Sequence, residues 1–352
     1  MKKIVILIFA LLLNAQMPNV ELPLQNNTSQ NLTVYDTNNS LDNTKITYTP
    51  EIIETDLNES YVSFNSKVNF AIVIDKQKFF KYLPSLINSI NAYLAQKGVD
   101  YNITVYNSDI DFEKIKNPDI IYFTTDINEL KKLKKINKTF YLPLIHKNET
   151  NITSKNIYFG SIDFKKQIDS LAEFINDKTY VIADNTQISK KLLSYESNIK
   201  NLKSVFKFPN IYYKSLNNAF IIFNTTAGKT AQVLSMITQK QIQTKLILTP
   251  QIGYDPLLIT LTQPADIKKL IIANSIINPP NIINEYANIL NSDIKYNWLN
   301  FSVCILTNKI YNRQNEEDEF YMSDFNIYIF ENQIDYKTKL YRIIDGAFKE
   351  VE

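Results

Sequence analysis

The sequence predicts an α/β protein with two tandem three-layer lobes, each a mainly parallel sheet covered by helices, and a C-terminal segment that returns as antiparallel β-structure. Short β-branched runs alternate with amphipathic helical segments from about residue 67. The alternation starts again near residue 179. The 352 residues, 45% of them hydrophobic, also exceed the size at which one core stops growing, about 250 to 300 residues.

The N-terminus has the layout of a cleavable secretory signal. Lys2 and Lys3 precede an unbroken apolar run at residues 4–13, and Asn14 and Ala15 follow it. Ten apolar residues are too few for a membrane-spanning helix, which needs about 20. We therefore expect residues 1–15 to be removed and the mature chain to lie in the periplasm, with no membrane span left after cleavage.

Residues 16–66 are predicted to form a flexible polar tether. Asn, Thr, Ser, Asp and Gln dominate this stretch, and its apolar residues are scattered without a period. Such a segment cannot bury enough surface to fold alone. A short piece such as residues 34–35 or 46–48 could still add a strand to the body.

The first lobe is predicted at residues 67–178. Residues 68–74 are a continuous apolar run, typical of a strand covered on both faces. A helix follows at 76–97, with apolar residues three and four apart, and Gly98 ends it. The remaining elements alternate in the same way: strands 102–106 and 119–123, helix 127–136, strands 139–145 and 156–159, and helix 164–175.

The second lobe is predicted at residues 179–295. Its elements are strand 179–183, helix 189–199, strands 205–208 and 219–224, helix 227–239, and strands 245–248 and 270–274. The segment 296–352 is predicted to return to the first lobe, with a helix at 296–311 and strands at 326–330, 336–344 and 347–351. Asp345-Gly346 is a strong signal for a two-residue hairpin turn between the last two strands.

Element order and a few local patterns resemble the type I periplasmic-binding-protein family, which includes branched-chain amino-acid receptors and outer-membrane lipoprotein regulators. The matching segments read VNFAIVID, AFIIFNTTAGKTAQVLSMI, YNWLNFSVCIL and LYRIIDGAFKEV. The resemblance covers about residues 68–352. It implies two lobes that open and close on a hinge, with a small ligand between them.

In that family the ligand carboxylate is held by small or hydroxylic loop residues at helix N-termini. The first such turn here contains Asp75, Lys78 and two bulky phenylalanines, and Asp75 would repel a carboxylate. In the second lobe Thr225 or Thr226 could cap the following helix or offer a hydroxyl to the cleft. The cleft candidates all follow strands: Asp75, Lys78, Thr124, Thr125, Asp184, Asn185, Thr225, Thr226, Gln251 and Tyr254.

Sequence signals for catalysis and cofactor binding are weak. Gly228-Lys229-Thr230 imitates the end of a phosphate-binding P-loop, but Phe223 stands where that motif needs glycine. The chain has one histidine, His146, and no G-x-S-x-G elbow. We expect no metal, no cofactor and no enzymatic activity. Cys304, the only cysteine, lies among apolar residues and is predicted to be a buried free thiol.

Two asparagines are candidate glycosylation acceptors. Asn58 and Asn151 match the acidic form of the acceptor pattern, similar to that of epsilon-proteobacterial periplasmic proteins. The same pattern occurs at Asn102, but that residue begins a predicted strand. An Asn-rich chain produces some such matches by chance.

These observations predict a non-enzymatic interaction or scaffold protein of the cell envelope that binds a protein partner. The alternative is a solute receptor with a small molecule between its lobes. A formal net charge of +2 does not indicate nucleic-acid binding.

We predict that the mature protein begins near Gln16 and fractionates with the periplasm, because the apolar run is too short to remain as an anchor. Intact-mass measurement of the purified protein checks this. A mass that retains Met1 would contradict it.

Overall fold

The computed structural model describes residues 46–48, 67–276, 278–317 and 320–351. Residues 1–15 and most of the predicted tether lie outside this range. The described chain forms a nine-stranded sheet and a seven-stranded sheet, both mostly parallel, with helices packed against them. The predicted fold class is therefore confirmed. No helix in the described residues has the length and apolar character needed to cross a membrane.

Sixteen strands occur in the described residues. In chain order they are β1 (Ile46–Tyr48), β2 (Lys67–Ile74), β3 (Asp100–Asn107), β4 (Asp119–Phe123), β5 (Thr139–Leu142), β6 (Ile157–Phe159), β7 (Thr179–Ala183), β8 (Leu202–Lys207), β9 (Phe220–Asn224), β10 (Leu246–Thr249), β11 (Leu270–Asn274), β12 (Tyr321–Met322), β13 (Ile327–Phe330), β14 (Gln333–Ile334), β15 (Lys339–Ile344) and β16 (Ala347–Val351).

The helices accompany these strands in the same alternation. They are α1 (Lys76–Phe79), α2 (Leu83–Lys97), α3 (Leu130–Leu133), α4 (Phe164–Ala172), α5 (Gln187–Glu196), α6 (Ala227–Gln239), α7 (Pro256–Leu261), α8 (Pro264–Ile267), α9 (Asn281–Ile289) and α10 (Trp298–Gln314).

The first sheet has the strand order β1-β3-β2-β4-β5-β6-β14-β13-β12. Strands β2 to β6 are parallel, and their buried, β-branched sequences fit a sheet covered on both faces. β1 pairs antiparallel with β3, so residues 46–48 add an edge strand, which was one of the two outcomes that the sequence allowed. β5 ends at Leu142 rather than at 145, because Pro143 has no N–H for the ladder.

The predicted helix at 76–97 is broken. α1 ends at Phe79, a 3₁₀ turn follows, and α2 begins at Leu83. Pro84 explains the break, since its ring in a continuous helix would clash with the carbonyl of Phe80. Gly98 ends α2 with φ of 63°, as predicted.

The second sheet has the order β16-β15-β11-β10-β9-β7-β8. The prediction that the final hairpin returns to the first lobe is wrong, because β15 pairs antiparallel with β11, with Ile272 opposite Tyr341. β11 offers an open edge there, and the chain reaches it directly after β14. α10 and β12 to β14 do join the first lobe. The Asp345-Gly346 turn has positive φ at both residues, as its sequence predicted.

The chain passes between the lobes three times: after β6, after β11 and after β14. α9 and α10 pack on α2 of the first lobe, and α4 packs against β11 of the second. In α10, 12 of 17 residues are buried, because the helix lies between α2 and the first sheet. Cys304 is among them as a buried free thiol, and burial raises the pKa of this thiol.

Candidate functional site

The first-lobe turn after β2 is closed on itself. Asp75 caps α1, and its Oδ1 accepts hydrogen bonds from the backbone N–H groups of Gln77 at 3.0 Å and Lys78 at 3.2 Å. The Lys78 ammonium lies 2.9 Å from Asp75 Oδ2. The hydrogen bond from Lys78 lowers the pKa of the Asp75 carboxyl. The two candidate residues of this turn therefore bind each other.

The turn after β4 also uses its own polar groups. Thr124 is buried, and its hydroxyl donates to Glu129 Oε2 at 2.9 Å and accepts from the backbone N–H of Asp126 at 3.0 Å. Tyr122 donates to the same Glu129 oxygen at 2.7 Å. Thr125 is exposed. Thr124 therefore bonds inward, whereas the Thr125 side chain makes no hydrogen bond to the described residues.

In the second lobe Asp184 and Lys229 form an ion pair of 2.7 Å. Asp184 is 6% exposed, and its Oδ1 accepts from the N–H and hydroxyl of Thr186 at 2.9 and 2.6 Å. Burial raises the pKa of Asp184, but the bonds from Lys229 and Thr186 outweigh it, so the pKa is lowered overall. Asn185 is exposed. The lysine of the P-loop-like sequence thus serves as the partner of a buried carboxylate.

The Thr225-Thr226 turn differs from the capping interpretation. Thr225 is fully buried, and its hydroxyl lies 2.8 Å from that of Thr230, one turn into α6. Thr226 occupies the N-cap position and is exposed, yet its side chain makes no capping bond. Neither threonine side chain therefore caps the helix. The first amides of α6 are left without a side-chain cap.

Gln251 lies at the junction of the lobes. It is 3% exposed, its backbone N–H donates to Gln167 Oε1 at 2.9 Å, and its side-chain amide donates to Asn274 Oδ1 at 2.7 Å. Gln251 Oε1 accepts from the N–H of Ser275 at 2.7 Å and from Gln167 Nε2 at 3.2 Å. Ser275 Oγ in turn lies 3.3 Å from Thr338 Oγ1. We call these five residues the crossover network, since they join all three crossings.

Tyr254 belongs to an aromatic cluster that joins the lobes outside the crossings. Its ring centroid lies 5.5 Å from Tyr296, 5.3 Å from Tyr341 and 4.4 Å from Phe348. Tyr296 lies in the first-lobe segment, two residues before α10 begins at Trp298, and the other three residues belong to the second lobe. We call these four residues the aromatic clamp.

His146 carried no functional signal in the sequence, and the structure places it in a groove near the crossings. His146 is 8% exposed, and its Nδ1 accepts from the N–H of Asn148 at 3.1 Å. Its Nε2 lies 3.8 Å from Asp163 Oδ2. Burial lowers the pKa of His146, so the ring is neutral at neutral pH. The adjoining cavity has a volume of about 320 Å³.

A second contact joins the lobes beside this groove. Lys191 of α5 lies 2.6 Å from Glu149, whose Oε1 also accepts from the N–H of His146 at 3.2 Å. Glu149 is also the acidic residue of the glycosylation pattern at Asn151. Asn151 itself is exposed. Asn58, the other glycosylation candidate, lies outside the described residues.

Glu196 and Asn224 form a buried acid–amide pair at the end of β9. Their exposures are 1% and 0%, and Asn224 Nδ2 donates to Glu196 Oε2 at 2.7 Å. The other carboxyl oxygen of Glu196, Oε1, and the amide oxygen of Asn224, Oδ1, have no hydrogen-bond partner among the described residues. Burial raises the pKa of Glu196 to about 8, against a smaller opposing effect of Asn224. A proton on the carboxyl group would turn one of these two acceptors into a donor.

The fold recurs in solved structures of other proteins. A branched-chain amino-acid ABC transporter protein from Thermus thermophilus with bound valine is 11% identical, with a TM-score of 0.58 over 81% of this chain and 95% of that chain. A solute binding protein from R. palustris in complex with 4-hydroxybenzoate is 9% identical, with a TM-score of 0.56 over 81% and 96%. LpoA from Haemophilus influenzae is 9% identical, with a TM-score of 0.52 over 83% of this chain and 59% of LpoA.

Neither a known protein family nor any curated protein matches the sequence. At identities near 10% the structural likeness establishes the fold alone, which is that of type I periplasmic binding proteins. The two-lobe architecture implied by the sequence resemblance is therefore present.

We predict that stability falls as pH rises through the range in which Glu196 ionises. Its folded-state pKa of about 8 lies above the ordinary value of 4.5, so this contribution to stability is complete below pH 4.5 and is lost as pH rises toward 8. A glutamine at this position should form the same pair with Asn224 and has no group that ionises. Glu196→Gln should therefore raise the free energy of unfolding at pH 8 by about 1 to 3 kcal/mol.

Urea unfolding at pH 5, 7 and 9 measures this, with Glu173→Gln on the exposed end of α4 as the matched control. A wild-type pH dependence that survives in the Glu196→Gln protein would contradict the assignment.

We also predict that Tyr296→Ala loosens the lobes, because it removes the only first-lobe ring of the aromatic clamp. Spin labels on Lys131→Cys and Lys240→Cys, one in each lobe, report the interlobe distance by pulsed electron resonance. The buried Cys304 should not react with the label. The distance distribution should broaden relative to wild type. The same width in Tyr296→Ala as in a Tyr286→Ala control would show that the clamp does not restrain the lobes.

Proposed function

We propose that this protein is a non-enzymatic interaction module of the bacterial cell envelope, located in the periplasm and built on a binding-protein fold that acts without a bound solute. The observation that carries the proposal is that several residues expected to contact a ligand are already bonded to other residues of the protein. Asp184 is paired with Lys229 and Thr225 with Thr230, and Gln251 lies inside the crossover network. A solute would have to break these bonds before making its own.

Contacts between the lobes also support an interaction module rather than a solute receptor. A receptor of this architecture opens and closes around its ligand, so its lobes must separate at low cost. Here Tyr296 has two rings of the second lobe within 6 Å, at 5.5 Å for Tyr254 and 5.9 Å for Phe348. Aromatic pairs contribute about 0.5 to 1.5 kcal/mol each beyond area burial. Opening would also break the Lys191–Glu149 ion pair.

The groove beside His146 does not favour an enzyme. In the common histidine-activated arrangement, a serine, threonine or cysteine side chain is the nucleophile and is hydrogen-bonded to the imidazole. No serine, threonine or cysteine is among the described residues that line the cavity. The imidazole Nδ1 already accepts a backbone bond, and Nε2 faces Asp163. The arrangement suits a structural turn better than proton transfer to a substrate.

A solute receptor is the second candidate, and one observation favours it. The N-terminus of α6 has no side-chain cap, and Thr226 beside it is exposed. Free amides at a helix start are a favourable place for a carboxylate. Valine and 4-hydroxybenzoate, which are bound in two of the structures with this fold, both carry one.

We predict that valine, leucine and 4-hydroxybenzoate leave the melting temperature unchanged. A ligand present at 100 times its Kd would stabilise the protein by about 2.7 kcal/mol, which is a rise of several degrees for a chain of this size. Differential scanning fluorimetry at about 1 mM solute measures it. A rise of several degrees that is lost in Thr226→Ala and kept in Thr260→Ala would establish the receptor instead.

A further inference from the structure

The outward face of β13 carries aromatic side chains where an exposed strand usually carries polar ones. Ile327 and Ile329 point inward and are 4% and 5% exposed, whereas Tyr328 and Phe330 are 58% and 70% exposed. Tyr321 of β12 adds a ring whose centroid lies 4.7 Å from that of Tyr328. We call Tyr321, Tyr328 and Phe330 the aromatic face. Exposed apolar side chains that lie together, rather than singly, are a feature of interaction sites.

The aromatic face lies at one end of the first sheet. Among the described residues, β12 is the last strand of the order, so one of its sides faces no further strand. An edge strand leaves backbone N–H and C=O groups for pairing with another chain. Tyr328 and Phe330 are two residues apart, which matches the repeat of alternate side chains in an extended chain. The geometry therefore favours an extended partner segment.

The charge around this surface favours a cationic partner. Phe330 also lines the cavity beside His146, so the aromatic face and the cavity are continuous. The charged groups that line the cavity are three carboxylates and two ammonium groups: Asp163, Glu331, Asp335, Lys147 and Lys166. Lys147 is already paired with Glu331. The neutral imidazole adds no positive charge, so the cavity is acidic on balance.

We propose that the aromatic face and the adjoining cavity bind an extended segment of a partner protein that carries lysine or arginine. One cationic side chain of the segment enters the cavity near Asp335, which is exposed, because both oxygens of Asp163 already accept hydrogen bonds from Lys166 N–H and Asn148 Nδ2. Its other side chains lie along Tyr328 and Phe330, where cations and alkyl stems pack well on exposed rings. The inference rests on the proposed interaction function and names the chemistry of the partner.

The test uses the full mature chain and a short labelled peptide of alternating Lys and Val, with an alternating Glu and Val peptide as the charge-reversed probe. Fluorescence anisotropy gives the Kd at low salt and at about 0.3 M salt. We expect the Lys peptide to bind at least about tenfold more tightly than the Glu peptide. Phe330→Ala and Asp335→Asn should each weaken it several-fold, and high salt should weaken it further.

Tyr212→Ala is the matched control, because Tyr212 is 63% exposed in the second lobe and should change the Kd less than twofold. The substituted side chains are exposed, so an unchanged melting temperature verifies that each variant folds. Equal binding of both peptides, no binding of either, or an equal loss in Tyr212→Ala would overturn the proposal.

A second copy of the chain is the competing occupant. Light scattering that shows a dimer in the wild type and a monomer in Phe330→Ala would assign the surface to self-association and overturn the proposal. The solute screen distinguishes failure of the proposed surface from failure of the proposed interaction function. Failure of the Lys peptide without a solute-induced stabilisation removes only the proposed surface, whereas stabilisation by valine removes the interaction function.

Discussion

The relation between the two lobes depends on the buried hydrogen bonds of the crossover network. Gln167 follows the first crossing, Ser275 follows β11 at the second, and Thr338 precedes β15 at the third. Gln251 joins the first two through both its side chain and its backbone. Buried amides that lose a partner cost about 1 to 3 kcal/mol each, so the crossings are held in one arrangement.

The aromatic clamp and the Lys191–Glu149 pair act on this hinge from outside the crossings. Each brings a first-lobe residue, Tyr296 or Glu149, against second-lobe side chains. A hinge alone allows rotation, whereas further contacts away from it restrict rotation. These contacts restrict rotation of the lobes, and together with the paired side chains of the cleft they are the physical basis of the proposed function.

The candidate site shows how pairing changes the meaning of a residue type. Asp75 and Asp184 follow strands, as ligand-binding residues often do, yet each has a lysine within 3 Å. Conversely, Tyr328 and Phe330 lie in a short C-terminal strand that carried no functional signal, yet both are exposed and Phe330 lines the cavity beside His146. Composition identifies neither case, because both depend on which neighbours the fold supplies.

Local pattern determined most of the elements. The boundaries of β4, β7, β9 and α6 were predicted within one residue, because unbroken apolar runs and helical periodicity depend only on neighbouring residues. Pro84 is likewise a sequence signal for the break before α2. α7, α8 and α9 were missed although Pro256, Pro264 and Pro280 are helix-start signals; α7 and α8 have only six and four residues, which is too short for a clear helical period.

By itself the sequence thus determined the fold class, the two-lobe order and the hairpin turn at Asp345-Gly346. Tertiary structure decided which sheet receives that hairpin, because strand pairing depends on which edge is open when the chain arrives. It also decided that Gln251 and Tyr254 face the lobe junction, and that Glu196 meets Asn224 in the interior. These contacts join residues distant in the chain, and burial changes a carboxyl group's pKa only once the surrounding atoms are in place.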